Sequence, residues 1–378
     1  MKRIAIFLDG TWNTLANNTN VWRLKSLCDP DAKNQIVYYS KGVGTTFGES
    51  VRGGIEGYGI DDELIGAYTW LSESFEPGDE IFIFGFSRGA YTARSLSGLI
   101  AKCGVLKPGA PLSIEQLYAR YRRHGDRTIS ELTRRLQPAN LEERWIIKYC
   151  EATSIKLVGV WDTVGSMGNP LASMRSKISS YMYLDTHLRL KNEFAFHALA
   201  IDEQRKSFEP TLWTKTIPIS PEATTLSPRP LAEVEQRWFV GAHANVGGGY
   251  ASDILAQPPL EWLMGKAAAL GLQFRNTFAT GARSPAAPIA DSYRSFAHGL
   301  TRFFIPRFYR PIGPDPEQGT VNITERINES IDGSVFDRWR DNPDYRPVNL
   351  KNWASRMGVD PATLTGAHLA RDPAVTVA

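Results

Sequence analysis

Residues Glu80–Ala93, EIFIFGFSRGAYTA, constrain the fold more tightly than any other stretch of this chain. An apolar, aromatic run enters the turn Gly85-Phe86-Ser87-Arg88-Gly89, and a helix-compatible run, RGAYTARSLSGLIA, leaves it. The G-x-S-x-G pattern is common by itself. A strand before it and a helix after it are the setting in which a serine is held above a sheet as a nucleophile. Such a turn is sharp and strained, so Gly85 and Gly89 relieve crowding where backbone segments pass close together. The helix aims its N-terminal amides and the positive end of its dipole at the serine. The Arg88 amide is therefore the natural donor to a developing oxyanion. The competing reading is an ordinary strand-to-helix turn with Ser87 as N-cap.

The rest of the chain repeats the alternation of short apolar runs and longer helical patterns that marks a parallel sheet covered by helices. Strands are expected at Arg3–Leu8, Gln35–Ser40, Glu80–Phe84, Ile155–Trp161 and Arg237–Val240. IAIFL, IFIF and KLVGVW are nearly continuously apolar, as strands covered on both faces should be. Helices are expected at Asp61–Phe75, Arg88–Ala101 and Pro259–Leu270. The fold class is thus α/β, hydrolase-like, with a mostly parallel central sheet flanked by helices. Residues 1–278 form the expected catalytic domain. Within it, Leu112–Tyr149 is a helical, arginine-rich insertion, read either as a lid or as a solvated basic helical pair. Proline and alanine in Ser284–Ala290, and further breakers in Pro306–Pro314, weaken the pattern, so residues 279–378 are expected to be a less regular C-terminal extension.

A serine hydroxyl needs a positioned base, and six histidines compete. His124 lies in the insertion, His187 and His197 in helix-like stretches, His298 in the less regular part and His368 in the tail. His243 differs, because it follows the strand RWFV within FVGAHANVGGGY, on a loop whose glycines allow close approach. For the orienting acid, Asp162 ends the strand KLVGVW at the sheet edge where open α/β sheets place their sites; Asp202 and Asp253 are the rivals. The chain order Ser87, Asp162, His243 is the one used by α/β hydrolases. Asp9-Gly10-Thr11-Trp12-Asn13 ends the first strand. Its Gly10 or Thr11 amide can supply a second oxyanion donor, with Asp9 and Asn13 bracing the turn, against a purely structural turn.

Composition removes other classes. A net charge of +3 over 378 residues is nearly balanced and gives no strong hint of nucleic-acid binding. The three cysteines, Cys28, Cys103 and Cys150, are scattered, forming neither a disulfide framework nor a metal cluster, as expected for folding in a reducing cytoplasm. The apolar run Ile4–Leu8 is too short for a signal sequence and ends on Asp9, so export, if it occurs, uses a route without a cleaved signal. The chemistry read here calls for no metal and no cofactor. A haloacid-dehalogenase-like phosphatase would also open with a strand and Asp9-Gly10-Thr11, but Phe7 stands where its nucleophilic aspartate belongs. Gly53–Gly59, GGIEGYG, lacks the Gly-Lys-Ser/Thr ending of a P-loop. A non-catalytic binding module on the same fold is the remaining alternative.

Four blocks, FLDGTWN, GFSRGAYTAR, GVWDTVGS and FVGAHANVGGGY, together resemble an α/β-hydrolase domain family that includes the phospholipase effectors of bacterial type VI secretion, lipase effector family 1. FHALAIDEQRKSF resembles the family's block between acid and base. The resemblance covers roughly residues 1–270. It implies Ser87, Asp162 and His243 as a catalytic triad, an ester or lipid substrate, transient contact with a membrane surface, and an immunity protein if the chain is an effector. Leu300–Pro311, LTRFFIPRFYRP, interleaves aromatic and basic residues, which suits either an anionic interface or packing onto the main domain.

Overall fold

The computed structural model describes the chain outside residues 11–17, 30–31, 43–57, 124, 136, 165–191, 219–228, 252–253, 277–285, 296–305, 320–321 and 378. Thr11, Asn13, His124, His187, Asp253, His298, most of Gly53–Gly59 and the first half of Leu300–Pro311 therefore lie outside the described residues.

Among the described residues, nine strands form one sheet. In chain order they are β1 (Arg3–Leu8), β2 (Gln35–Ser40), β3 (Glu80–Phe86), β4 (Ile155–Trp161), β5 (Asn192–Ala200), β6 (Val234–Phe239), β7 (Glu329–Ile331), β8 (Ala367–Leu369) and β9 (Thr376–Val377). Across the sheet they run β2-β1-β3-β4-β5-β6-β7-β8-β9, parallel through β7, with β8 and β9 antiparallel at the edge. The α/β-hydrolase-like fold read from the sequence is the fold observed.

The two-residue alternation of a strand assigns side chains to opposite layers. Ile4, Ile6 and Leu8 of β1 join Ile81 and Ile83 of β3 under α2 (Tyr58–Ser74) and α3 (Arg88–Cys103). Ala5 and Phe7 join Phe82, Phe84 and Leu157 under α1 (Asn20–Leu27) on the other face, where Phe7 stacks on Phe84. The position that a phosphatase would need for its nucleophile is thus part of the core.

Two expectations change. The insertion folds as α4 (Ile114–Arg122), α5 (Ile129–Arg135) and α6 (Leu141–Tyr149), and buries Leu117, Tyr121, Leu132 and Ile146 in the core with α3. It is not a solvated basic pair: Arg120 is only 1% exposed and bridges Asp126 and Glu142, while Arg127 pairs with Glu143. Described contacts from α4 reach Lys102 and Cys103, at the end of α3 remote from Ser87. Nor does the sheet stop at residue 278. β7 pairs with β6, and Trp238 and Leu199 from the parallel sheet pack with Phe336, Leu350 and Trp353 on helices α9 (Gly333–Asp341) and α10 (Val348–Met357); two further helices, α7 (His243–Gly247) and α8 (Gln257–Ala269), precede them. Residues beyond 278 therefore extend the main core instead of standing apart. Among the described residues, no helix is long and apolar enough to cross a membrane.

Candidate active site

Adjacent parallel strands end at one edge of the sheet, and the loops that leave that edge bring distant residues together. β3 delivers Ser87 in a backbone conformation of φ 57° and ψ −120°. The two neighbouring glycines permit the turn. A Cβ at Gly85 would lie 2.4 Å from the Gly89 carbonyl oxygen, and one at Gly89 would lie 2.2 Å from that of Leu8. β4 delivers Asp162, also at positive φ (40°), and its backbone N–H donates to Ala198 at the end of β5. His243 opens the short helix α7 just past β6.

The three side chains converge. Ser87 Oγ lies 2.9 Å from His243 Nε2, and His243 Nδ1 lies 2.5 Å from Asp162 Oδ2. The imidazole is held between two rings, Phe86 at 4.7 Å and Phe208 at 4.9 Å between centroids. Gly247 makes room for Phe86: a Cβ there would stand 2.0 Å from the ring. The His243 backbone N–H donates to Glu203, a buried carboxylate that also accepts from Arg205 and Ser292. Burial alone would raise the Glu203 pKa, but the Arg205 hydrogen bond and the nearby charges of Arg205 and Arg310 together bring it down to about 2.

Asp162 is fully buried, and sequence reading did not anticipate its main partner. Arg310 Nη1 donates to Asp162 Oδ1 at 2.7 Å and Arg310 Nη2 to Oδ2 at 3.0 Å, with both side chains 0% exposed. The same guanidinium donates to the Ala200 and Phe208 carbonyls. Burial would raise the Asp162 pKa; the Arg310 charge and the His243 hydrogen bond reverse this and hold the carboxyl well below its ordinary range. Arg310 belongs to the segment read either as a lipid-facing or as a packing element. In its described half Arg310 is buried and Arg307 reaches Gln204, while Tyr309 is exposed.

The other candidates take different places. Arg88 occupies the first position of α3, at the positive end of that helix. The Gly10 N–H donates to Asp9 Oδ1 at 2.7 Å, so in this conformation it is engaged by the carboxylate and not available as an oxyanion donor. Asp9 also accepts from Thr19 and Tyr39, which fixes the end of β1. Asp202 accepts from the Gly241 N–H and from Tyr345, bracing the turn before His243. His197 is not helical. It lies in β5, where burial pushes its pKa down to about 3 and Nε2 accepts from the Thr163 N–H. His368, in β8, bonds two backbone carbonyls.

Comparison with known proteins adds to this geometry. The model of a family described as T6SS, phospholipase effector Tle1-like, catalytic domain, matches residues 2–266. The uncharacterized protein YEL023C of Saccharomyces cerevisiae is 27% identical over 247 residues, which are 60% of this chain and 34% of that protein. A crystal structure of an uncharacterized protein from Pseudomonas aeruginosa aligns with a TM-score of 0.42 and 16% identity, covering 72% of this chain and 46% of that one. The structure of the Tle1 effector bound to the VgrG spike from the type 6 secretion system aligns with a TM-score of 0.36 and 18% identity, over 68% of this chain and 52% of that one. The chain thus spans a third of the yeast protein, at 34%, and about half of the two solved chains.

Proposed function

This chain belongs to the family of Tle1-like phospholipase effector catalytic domains, and we propose that it is a serine hydrolase cleaving carboxylic esters of lipids through Ser87, His243 and Asp162. The observation that carries the reading is the continuous hydrogen-bonded path from hydroxyl to imidazole to carboxylate, 2.9 Å and then 2.5 Å. With Asp162 accepting at Nδ1, the imidazole proton resides there and the Nε2 lone pair faces the serine. His243 removes the Ser87 proton as Oγ attacks the ester carbonyl, and the carbonyl electron pair moves onto oxygen. The Arg88 amide stabilises that oxyanion, aided by the dipole of α3. The Gly10 amide contributes only if it leaves Asp9. Collapse expels the alcohol, which takes the proton from His243, and water then releases the acyl group by the same steps.

Family membership supports phospholipid as the substrate class, contact with a bilayer surface, export without a cleaved signal sequence, and a cognate immunity protein. A fluorophosphonate probe and a panel of p-nitrophenyl esters and phosphatidylglycerol vesicles test the reading. Wild type should be labelled and should release fatty acid, while Ser87→Ala should do neither. Soluble, folded wild type that resists the probe and cleaves no ester would overturn it.

A further inference from the structure

The Ser87 site is completed by a residue outside the family-matched region, which ends at residue 266. We propose that Arg310 is a positioning residue for this site: it grips both Asp162 oxygens and balances their charge, so that its removal changes the pH dependence of a reaction that uses His243 as base. The proposal rests on the hydrolase reading given above.

Asp162 and Arg310 are both 0% exposed, so neither has solvent to offset its charge. Of the described acids near His243, Glu203 is paired with Arg205 at 2.8 Å, and Asp202, which accepts from Gly241 and Tyr345, has its pKa raised by burial to about 6 and stands in all three proteins of the test below alike. His197, on the neighbouring strand β5, is neutral at ordinary pH, because burial depresses its pKa. Arg94 of α3 lies over the Trp213 ring, which packs on His197. With Arg310 in place, the carboxylate already has its counter-ion, and a proton on His243 would add an unbalanced positive charge. Without Arg310, the buried carboxylate would draw that proton in place of its lost counter-ion. The guanidinium also ties three chain segments together, because it donates to Ala200 at the end of β5 and to Phe208, whose ring packs on His243. A lysine at this position keeps the charge but cannot grip two oxygens at once.

The test uses the full chain and compares wild type, Arg310→Met and Arg310→Lys. Its readouts are kcat/KM against pH on a short p-nitrophenyl ester, fluorophosphonate labelling rate, and thermal melting. An opposite charge within a few ångströms moves a titration by about 1–3 units, and Arg310 acts on His243 through Asp162. The acid limb of kcat/KM in Arg310→Met should therefore move to higher pH by about one unit, a tenfold loss of activity below the limb that shrinks as pH rises. Arg310→Lys should keep the wild-type limb with a lower plateau. A limb unmoved in Arg310→Met, with activity lowered equally at all pH, would make Arg310 a structural residue and overturn the proposal. So would a Lys variant with the full wild-type plateau. Loss of a cooperative melt in both variants would assign Arg310 to folding and overturn it equally. Failure of the hydrolase reading is distinguishable, since wild type itself would then resist the probe.

Discussion

The Asp162–Arg310 pair can be weighed by a double-mutant cycle on stability. Asp162→Asn keeps the shape but removes the charge, leaving a guanidinium that is 0% exposed without a counter-ion. Arg310→Met does the reverse. Breaking one side of a buried ion pair costs about 3–5 kcal/mol, whereas replacing both sides by neutral groups is often close to neutral. Each single variant should therefore lose about 3–5 kcal/mol, and the double variant much less than the sum, giving a coupling energy of about 3 kcal/mol. Urea unfolding at pH 7, with slopes compared to detect altered denatured states, measures all four corners. Additivity within about 0.5 kcal/mol would refute the reasoning, because it would mean that the two charges do not feel each other. The pH dependence has a definite sign. Asp162 is depressed in the folded state, so its contribution is complete above the unfolded aspartate value of about 3.9 and is lost as pH falls from there through the folded value. Asp162→Asn should lack that acid-side slope.

Three further outcomes are expected. Asp202, whose pKa burial raises to about 6, binds its proton more tightly folded than unfolded, so stability falls as pH rises between the unfolded value of about 3.9 and the folded one; Asp202→Asn should remove that slope in melts at pH 4 to 8 while still being labelled by the probe, and loss of labelling would reassign the orienting acid. Gly247→Ala places a Cβ 2.0 Å from Phe86, so denaturant melts should show a loss of about 1–3 kcal/mol from overpacking and esterase assays a lower kcat, since Phe86 packs on His243; a variant unchanged in both would remove the ring from the argument. Truncation after residue 278 strips β7 to β9 from the sheet and uncovers Trp238 and Leu199; the product should be insoluble or lack a cooperative transition, and a folded, labelled fragment would show that residues beyond 278 are a separable appendage.

Ser87, Asp162 and His243 were legible because each sits at the end of a strand whose apolar run is local in the chain. Positions at such ends share one edge of a parallel sheet, so convergence follows from topology. β5 was not legible as a strand. NEFAFHALA is apolar at six of nine positions with no strict alternation, and a strand covered on both faces loses the period that would distinguish it from a helix. His197 consequently read as helical. The C-terminal strands failed for a different reason. Glu329–Ile331 and Ala367–Leu369 are three residues each, too short to display any period, and they follow a region rich in breakers. Arg310 could not have been found by any local rule. Its two neighbouring prolines and aromatics describe a packed segment equally well with or without a carboxylate at the far end, 148 residues earlier in the chain.

The two aspartates that competed for the acid role show what decides between them. Asp162 and Asp202 each follow a strand or its turn, and desolvation is the largest influence on each carboxyl. Their titration nevertheless moves in opposite directions, down for Asp162 and up for Asp202. Asp202 is met by neutral donors, a backbone N–H and a tyrosine hydroxyl, and these do not recover the cost of burying its charge. Asp162 is met by a guanidinium on both oxygens. Only the second remains an anion across the range in which a histidine base works, and in the proposed hydrolysis only an anion would both fix the Nδ1 tautomer and stabilise the imidazolium formed as Ser87 gives up its proton. On the proposed mechanism, the strand-end position would make an aspartate eligible for that task, and the cation arriving from the far end of the chain would make it able to perform it.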